Sequence, residues 1–366
     1  MLLRPARRFA AAAAALAIGT AIAVLGAEAV LRSAGDRLLP QPIARYSQLE
    51  QEGYVINGTV FRTLPFWRAD DYYSFKLKDN LSLHVMLRDG HSSFSLHSNE
   101  IGFRFPMADL NRPARHRVMV LGDSVAFGHG VNDDQTLPNR LNALFAESDV
   151  RFLNFAVGAW SFGEYYLTYQ RYAAQVQPSL IVVVVYAGND FYELERSEWT
   201  GRDKGSLPAA PLTRLDYAFD SDGQLINEGL AYKFPVLRES VLWIAIDKFL
   251  LARLREAKHA RRLATYPRST METSLDVLRA IGKRHPTLVV VIPFQDKAAP
   301  IEFMRRIQIS TDVAVLDLHP LVHELKSDEE AYLSDHVHFA AKGNEMVART
   351  IGEFIRSRGL IAAIRR

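Results

Sequence analysis

Downstream of residue 116, short apolar runs alternate with stretches of helical periodicity. The runs are rich in Val, Ile and Leu, which is typical of parallel strands that are buried on both faces. Five strands are predicted, at 118–121, 152–156, 180–186, 288–292 and 313–318. Helices are predicted at 136–147, 163–175, 271–284, 300–309 and 341–358. The pattern predicts an α/β domain over residues 116–366, with a doubly wound five-stranded parallel sheet.

Residues 33–115 have a different pattern, irregular and rich in aromatic residues, and we call this segment the preamble. Leu81, Leu83, Val85 and Leu87 alternate with polar or flexible residues, and the alternation resumes at Phe94 and Leu96. Asp89-Gly90 lies between the two runs and is a favoured hairpin turn. The preamble is therefore predicted to be partly β and to cover another part of the molecule.

Residues 1–32 have the pattern of a targeting segment. A stretch without charge runs from Phe9 to Ala27 and follows three basic residues, Arg4, Arg7 and Arg8. It fits a secretory signal peptide that is cleaved after Ala29, and it also fits an uncleaved membrane helix through residues 9–31. We favour the anchor because about 20 residues are enough to span a bilayer. Both interpretations predict export, to the periplasmic face of the inner membrane or, after cleavage, to the soluble periplasm.

Composition narrows the possible partners. The chain has 366 residues, 48% of them apolar and 23% charged, which excludes a disordered chain. A formal net charge of +3 is too small to indicate nucleic acid as the main partner. There is no cysteine, so disulfides, thiolate metal sites and a cysteine nucleophile are excluded.

The third and fourth predicted strands are about 100 residues apart, which is more than a crossover helix needs. Residues 191–268 are therefore predicted to be an insertion. Between Arg238 and Arg268, eight Lys or Arg stand against three acidic residues, with apolar residues interleaved. This half could form a basic helix on anionic lipid or on an acidic polymer, or a solvated helix face packed on the domain. The insertion is a candidate lid.

The first predicted strand ends directly in Gly122-Asp123-Ser124, and a helix follows. Ser124 is thereby placed at the carboxyl edge of the sheet, where ligands bind in open α/β folds. A phosphate-binding loop is not indicated, since no Lys-Ser/Thr follows and no G-x-G-x-x-G occurs. A serine nucleophile needs a base, and the base needs an orienting acceptor. Asp335 and His338, three residues apart near the end of the chain, can supply both.

Two further polar turns follow neighbouring predicted strands. Gly158 comes after the second strand, and Asn189 comes after the third. Each alone is an ordinary turn residue. Together they place a backbone N–H and a side-chain amide at the edge that carries Ser124, as an oxyanion hole requires.

A metal site is the alternative use of these residues. Asp335, His336 and His338 could be ligands, and His319 and His323 are four residues apart. The second pair lacks the glutamate of an H-E-x-x-H motif, and the chain offers no thiolate. We therefore predict neither a metal nor any other cofactor, and we interpret His319 and His323 as ordinary helix or loop residues.

The sequence resembles the SGNH (GDSL-type) hydrolases, whose name lists Ser, Gly, Asn and His in separate blocks. The blocks occur in order as Ser124 in Gly122-Asp123-Ser124, Gly158, Asn189 in Gly188-Asn189-Asp190, and His338 in Asp335-x-x-His338. The resemblance covers residues 117 to about 357 and implies a flavodoxin-like fold. It implies Ser124 as nucleophile, His338 as base and Asp335 as its orienting residue. It also implies oxyanion donors from Ser124 N–H, Gly158 N–H and the Asn189 side chain.

Two details qualify the resemblance. The third block usually reads G-x-N-D, and Ala187 stands at the position of its first glycine. The segment 99–104, Asn-Glu-Ile-Gly-Phe-Arg, is similar to one in membrane-anchored bacterial members, which again favours the anchor.

Three functions are compatible with the sequence. The leading one is a metal-independent serine esterase that removes an O-acyl group outside the cytoplasm, for example from a cell-envelope polysaccharide. The second is an O-acyltransferase that passes the acyl group to a sugar hydroxyl. The third is a non-catalytic envelope assembly module, which would not need Ser124, Asp335 and His338 together. The sequence predicts an acylated glycan or small molecule as substrate, and it leaves the oligomeric state open.

Overall fold

The structure is a computed structural model of the chain, and it describes the residue ranges 3–38, 54–56, 59–61, 66–86, 93–111, 114–215, 218–219, 225–226, 240–246, 268–293, 299–310, 313–333 and 335–361. The strands are β1 (Tyr54–Ile56), β2 (Thr59–Phe61), β3 (Trp67–Asp70), β4 (Ser74–Leu77), β5 (Ser82–Met86), β6 (Ser93–His97), β7 (His116–Leu121), β8 (Val150–Asn154), β9 (Leu180–Tyr186), β10 (Ser197–Glu198), β11 (Thr213–Arg214), β12 (Ala218–Phe219), β13 (Leu225–Ile226), β14 (Thr287–Ile292) and β15 (Ala314–Asp317). The helices are α1 (Leu3–Leu38), α2 (Met107–Asn111), α3 (Ser124–Phe127), α4 (Leu137–Leu144), α5 (Phe162–Val176), α6 (Asp190–Glu195), α7 (Val241–Ile246), α8 (Arg268–Gly282), α9 (Ala299–Ser310), α10 (His319–Leu325) and α11 (Ala341–Arg358).

The central sheet has five parallel strands in the order β15-β14-β9-β7-β8. Every residue of β9 is buried, so helices cover both faces of the sheet. Numbered along the chain, the order is 2-1-3-4-5, the flavodoxin-like arrangement, with its switch point between β7 and β9. The predicted five-stranded, doubly wound sheet is confirmed. The strand order positions the turns after β7 and β9 side by side.

The preamble forms antiparallel structure that packs on this domain. The predicted hairpin is present as β5 paired with β6, while its turn lies outside the described residues. Trp160, beyond the end of β8, donates a hydrogen bond from Nε1 to the Phe75 carbonyl at 3.1 Å. Its ring stacks on Tyr73 at 4.7 Å between centroids, and Phe103 packs on Phe155 at 4.8 Å. The preamble therefore covers the carboxyl end of β8.

The described first part of the insertion, residues 191–215, is built into the fold. The Leu212 N–H donates to the Tyr72 carbonyl at 3.2 Å, and the Arg214 N–H donates to Ser74 Oγ at 3.1 Å. Hydrogen bonds therefore join the insertion directly to the preamble. Most of the basic half lies outside the described residues, and its assignment as a lid or lipid contact stays a prediction.

The N-terminal helix α1 contains a segment, Ala14–Ala34, that is long and apolar enough to cross a membrane. Its mean hydropathy is 2.0, and its large apolar side chains, such as Leu16 and Leu25, are exposed. Near its end, α1 contacts α7 of the insertion. Length and composition alone would equally suit a signal sequence.

Candidate active site

Ser124 begins the short helix α3 directly after β7. Gly122 makes the tight turn possible, because a Cβ there would lie 2.5 Å from the Ala126 Cβ. The Asp123 carboxylate caps α3 by accepting a hydrogen bond from the Val125 N–H at 2.9 Å. Ser124 is half-buried and stands at the carboxyl edge of the sheet, next to the switch point.

Asp335 and His338 lie in a tight loop before α11. The loop is closed where the Leu333 N–H donates to the His338 carbonyl at 2.8 Å. Asp335 Oδ1 accepts from the backbone N–H groups of Val337 at 2.9 Å and His338 at 3.0 Å. The intervening His336 has a φ of 54° and is exposed. The turn therefore directs the His338 ring toward the sheet edge.

The structure brings these three side chains into one chain of hydrogen bonds. His338 Nε2 lies 2.7 Å from Ser124 Oγ, and His338 Nδ1 lies 2.6 Å from Asp335 Oδ2. Burial tends to raise the pKa of Asp335, but the hydrogen bond and charge of His338 outweigh it and hold that pKa below its usual range. With Asp335 ionised, Nδ1 carries the hydrogen, and the Nε2 lone pair is free to accept the serine proton.

Gly158 lies beside the serine. A Cβ on Gly158 would be 3.6 Å from the Ser124 Cβ and 3.3 Å from the Trp67 ring. Trp67 belongs to β3 of the preamble, so this segment supplies one wall next to the serine. The following residue, Ala159, has a left-handed backbone with φ of 61°, and its carbonyl accepts from Arg214 Nη1 at 2.6 Å. Arg214 thus holds the turn that carries Gly158.

Asn189 lies at the same edge and is held by Asp123. The Asn189 side chain hydrogen-bonds to the Asp123 carboxylate, and burial raises the pKa of that carboxyl despite this contact. An amide nitrogen carries two hydrogens, so one is left for an oxygen in the site. Within the described part of the chain, the buried Asn189 Oδ1 accepts no hydrogen bond. Ala187 has no left-handed backbone, so its methyl group fits where the family pattern has glycine.

A buried arginine holds the loop that follows α3. Arg104 is 2% exposed and donates to the carbonyls of Gly128 and Val131, each at 2.6 Å. Its Nε also lies 2.5 Å from Asp133 Oδ1. The same loop carries His129, whose ring centroid lies 4.6 Å from that of His338. Arg104 therefore fixes the loop that borders His338.

The Asn99–Arg104 segment explains how Arg104 reaches this position. Asn99 Oδ1 accepts from the N–H groups of Ile101 and Phe103 at 3.1 and 2.9 Å. Gly102 turns with a φ of 76°, and a Cβ there would lie 2.6 Å from the Leu77 carbonyl oxygen. The segment is a compact turn whose last residue enters the core.

The remaining candidate histidines do not join the site. His319 and His323 stack on each other within α10, with centroids 6.4 Å apart. Over the described ranges, no group of three or more His, Asp or Glu side chains is arranged to hold a metal ion. The prediction that the chain uses no metal is not tested by this, and it stays a prediction.

Sequence reasoning did not assign roles to Trp67, Asp123, His129, Arg104 or Arg214. Arg104 ends a segment that stood out in the sequence, and His129 follows Ser124 by only five residues. Trp67 belongs to the aromatic cluster of the preamble. No local signal distinguishes Arg214, because a buried arginine and a surface arginine look alike in sequence.

No protein-family model matches the chain, and no curated protein matches it. Several solved structures match the chain. The lipase/acylhydrolase from Enterococcus faecalis is 13% identical, with 66% of this chain and 96% of that chain covered and a TM-score of 0.36. A lipolytic protein assigned to the G-D-S-L family, from Desulfitobacterium hafniense, is 15% identical, with coverages of 65% and 99% and a TM-score of 0.32. A two-domain esterase active on acetylated mannans is 11% identical, with coverages of 67% and 50% and a TM-score of 0.39. The similarity to each of these structures extends over about two thirds of this chain.

Proposed function

We propose that this protein is a serine esterase of the SGNH type that acts on O-acyl groups outside the cytoplasm. One observation carries the proposal, the hydrogen-bonded chain from Ser124 Oγ through His338 to Asp335, with distances of 2.7 and 2.6 Å. A nucleophile, a base and an orienting carboxylate in this order are the parts of acyl transfer through a serine ester.

In the proposed reaction, His338 Nε2 takes the Ser124 proton as Oγ attacks the ester carbonyl. The imidazolium then gives this proton to the leaving alcohol, and the acyl group remains on Ser124. Water enters, loses a proton to His338 and attacks the acyl carbonyl. The bond between the acyl carbon and Ser124 Oγ then breaks, the imidazolium returns the proton to Oγ, and the carboxylic acid leaves. Asp335 stabilises the charged imidazole and fixes its orientation.

The tetrahedral intermediates place negative charge on the former carbonyl oxygen. The Ser124 N–H, the Gly158 N–H and the free hydrogen of the Asn189 amide are the proposed donors to it. Donors fixed before the reaction are effective because they need no reorganisation when the charge develops. Asp123 holds the Asn189 amide, and Arg214 holds the turn of Gly158, so both act as positioning residues.

The proposed location is the periplasmic face of the inner membrane. Support comes from the apolar segment Ala14–Ala34 and from the arginines that precede it, which favour retention of the N-terminus in the cytoplasm. A site exposed to the envelope suits acylated glycans, such as an acetylated polysaccharide, as the substrate class.

Hydrolysis by the full-length protein in detergent, measured with p-nitrophenyl esters of short and long acyl chains and with acetylated polysaccharide, tests the activity. Mass spectrometry after treatment with a fluorophosphonate should find the label on Ser124. The Ser124→Ala variant should lose both labelling and hydrolysis, and Ser148→Ala, remote from the site, should lose neither. Labelling or full hydrolysis in Ser124→Ala would refute the proposal.

Two further measurements separate the alternatives. The first is the reaction with added sugar acceptors. If the acyl group is transferred to the sugar faster than it is hydrolysed, the protein is an O-acyltransferase. Cell fractionation with N-terminal sequencing tests the location. A mature protein that begins at Val30 and is found in the soluble periplasm would contradict the predicted membrane anchor but agree with the predicted export.

A further inference from the structure

Glu28 lies within the apolar segment of α1, yet its carboxylate is bound to a part of the chain more than two hundred residues away. It accepts hydrogen bonds from Ser240 Oγ at 2.9 Å, from the Val241 N–H at 2.9 Å and from the Leu242 N–H at 2.8 Å. Arg32, one helical turn further along α1, forms an ion pair with it at 2.7 Å. Glu28 therefore accepts from the first two N–H groups of α7, while Ser240 Oγ accepts from the Trp243 N–H at 3.0 Å.

This contact provides hydrogen-bond partners for two kinds of group that are unfavourable when unpaired, the Glu28 carboxylate and the first N–H groups of α7. A carboxylate near hydrocarbon is unfavourable unless it is hydrogen-bonded, and the first N–H groups of a helix have no partner within the helix. Glu28 lies six residues before Ala34, which is about 9 Å along the helix axis from the exported end of the span. Because the span is about as long as the hydrocarbon core is thick, this level lies on the acyl-chain side of the headgroup boundary.

The composition of α7 suits that boundary. Its sequence is Val-Leu-Trp-Ile-Ala-Ile, without a polar side chain, and its last residue, Ile246, is 36% exposed. Tryptophan is favoured at the membrane–water interface. The sequence that follows, from Lys248 to Arg262, is rich in Lys and Arg, which are attracted to anionic headgroups.

We propose that α7, held at its first N–H groups by Glu28, is a second membrane contact of this protein, and that it lies just beneath the headgroups of the exported leaflet, with apolar residues among the acyl chains. The α/β domain would then be attached to the membrane at two points, through α1 and through α7 of the insertion. The inference rests on the proposed membrane anchoring but not on the proposed esterase activity. Cleavage after Ala29 would remove Glu28 and leave the Val241 and Leu242 N–H groups without this acceptor.

Trp243 makes the proposal measurable. Of the four tryptophans, Trp67, Trp160 and Trp199 are buried in the domain, at most 8% exposed, and Trp243 is the one on α7. The full chain is reconstituted into vesicles of phosphatidylcholine and phosphatidylglycerol whose acyl chains carry bromine near the headgroup. We expect bromine to quench the tryptophan emission, and Trp243→Phe to abolish most of that quenching.

The Glu28 variants test this contact. Glu28→Ala should lose most of the Trp243 quenching while the protein still floats with the vesicles, because the apolar span is intact. Glu28→Gln keeps an acceptor oxygen and should give an intermediate value. Glu147→Ala, which changes an exposed glutamate on the catalytic domain, should match the parent.

Each result decides one point. A floating protein without Trp243 quenching would overturn the inference and leave the anchor standing. Equal quenching in Glu28→Ala and the parent would overturn the role of Glu28. A protein that does not float would refute the anchor and this inference together. Ester hydrolysis is measured on the same vesicles, and its absence alongside intact quenching would refute only the esterase.

Discussion

The hydroxyl of Ser124 lies 2.7 Å from Nε2 of His338, although 214 positions separate the two residues in the chain. The serine stands at the end of the first strand of the central sheet, and the histidine stands in the last loop before the C-terminal helix. The parallel sheet brings them together because all its strands end at one edge, and the loop after α10 crosses that edge.

Asn189→Ala tests the oxyanion hole. Loss of one preorganised donor typically lowers kcat by about 10²- to 10³-fold. Steady-state kinetics with a p-nitrophenyl ester should show this loss with little change in KM, because the donor acts mainly in the transition state. A changed KM at constant kcat would make Asn189 a substrate-binding residue. Asn111→Ala, which changes an exposed asparagine at the end of α2, is the control for amide loss.

The pH dependence of kcat/KM tests the base. The hydrogen bond and charge of His338 hold the pKa of Asp335 below its usual range, so this carboxylate is ionised throughout the neutral region. Acidification should therefore lower activity while Asp335 stays ionised, because a protonated imidazole can no longer accept the serine proton. We expect kcat/KM to rise with pH through one ionisation and then to level off. A flat profile with chemistry rate-limiting would remove His338 from the mechanism.

Asp335→Asn tests the orienting carboxylate. It removes the negative charge and favours the wrong imidazole tautomer, which in a comparable Ser-His-Asp triad costs about 10⁴-fold in kcat. Single-turnover hydrolysis of an activated ester measures the loss. Asp317→Asn, an exposed aspartate in β15, controls for the loss of one charge near the sheet. Parent-like activity in Asp335→Asn would show that backbone groups alone orient His338.

Arg104→Met tests whether Arg104 stabilises the loop that follows α3. The change leaves the carbonyls of Gly128 and Val131 and the Asp133 carboxylate without this donor. Asp133 is 29% exposed, so the main cost comes from the two carbonyls that lose a donor, about 1–3 kcal/mol each, and urea unfolding should show a loss of about 2–6 kcal/mol. Arg68→Met breaks a half-exposed pair with Asp79 and should cost no more than about 1 kcal/mol. Similar losses in both variants would contradict the assigned role.

A double-mutant cycle on Arg214 and Glu164 tests the link between the insertion and the domain. Both side chains are fully buried, and their closest atoms are 3.3 Å apart. Arg214→Met should lower the free energy of unfolding by about 3–5 kcal/mol, because it leaves two carboxylates, Glu164 and Glu193, without their cation. Adding Glu164→Gln should recover part of that loss. Additive effects of the two changes would show that the pair is not coupled.

The sequence by itself determined the strands and the longer helices of the α/β domain. Long apolar runs and helical periodicity are local signals, and they predicted all five strands within a few residues of their observed bounds. They also placed Ser124, Gly158 and Asn189 at strand ends, and therefore at one edge of the sheet. The spacing of Asp335 and His338 is local too, and the turn between them joins the two side chains as expected.

The tertiary structure alone decided which distant polar groups meet. Nothing in the local pattern tells a buried Arg104 or Arg214 from the many surface arginines, because burial depends on what packs above a residue and not on its neighbours in sequence. The same holds for Glu28, which in sequence only marks the end of an uncharged stretch. Its partners on α7 lie in an insertion whose position follows from long-range packing, and local periodicity carries no information about such contacts.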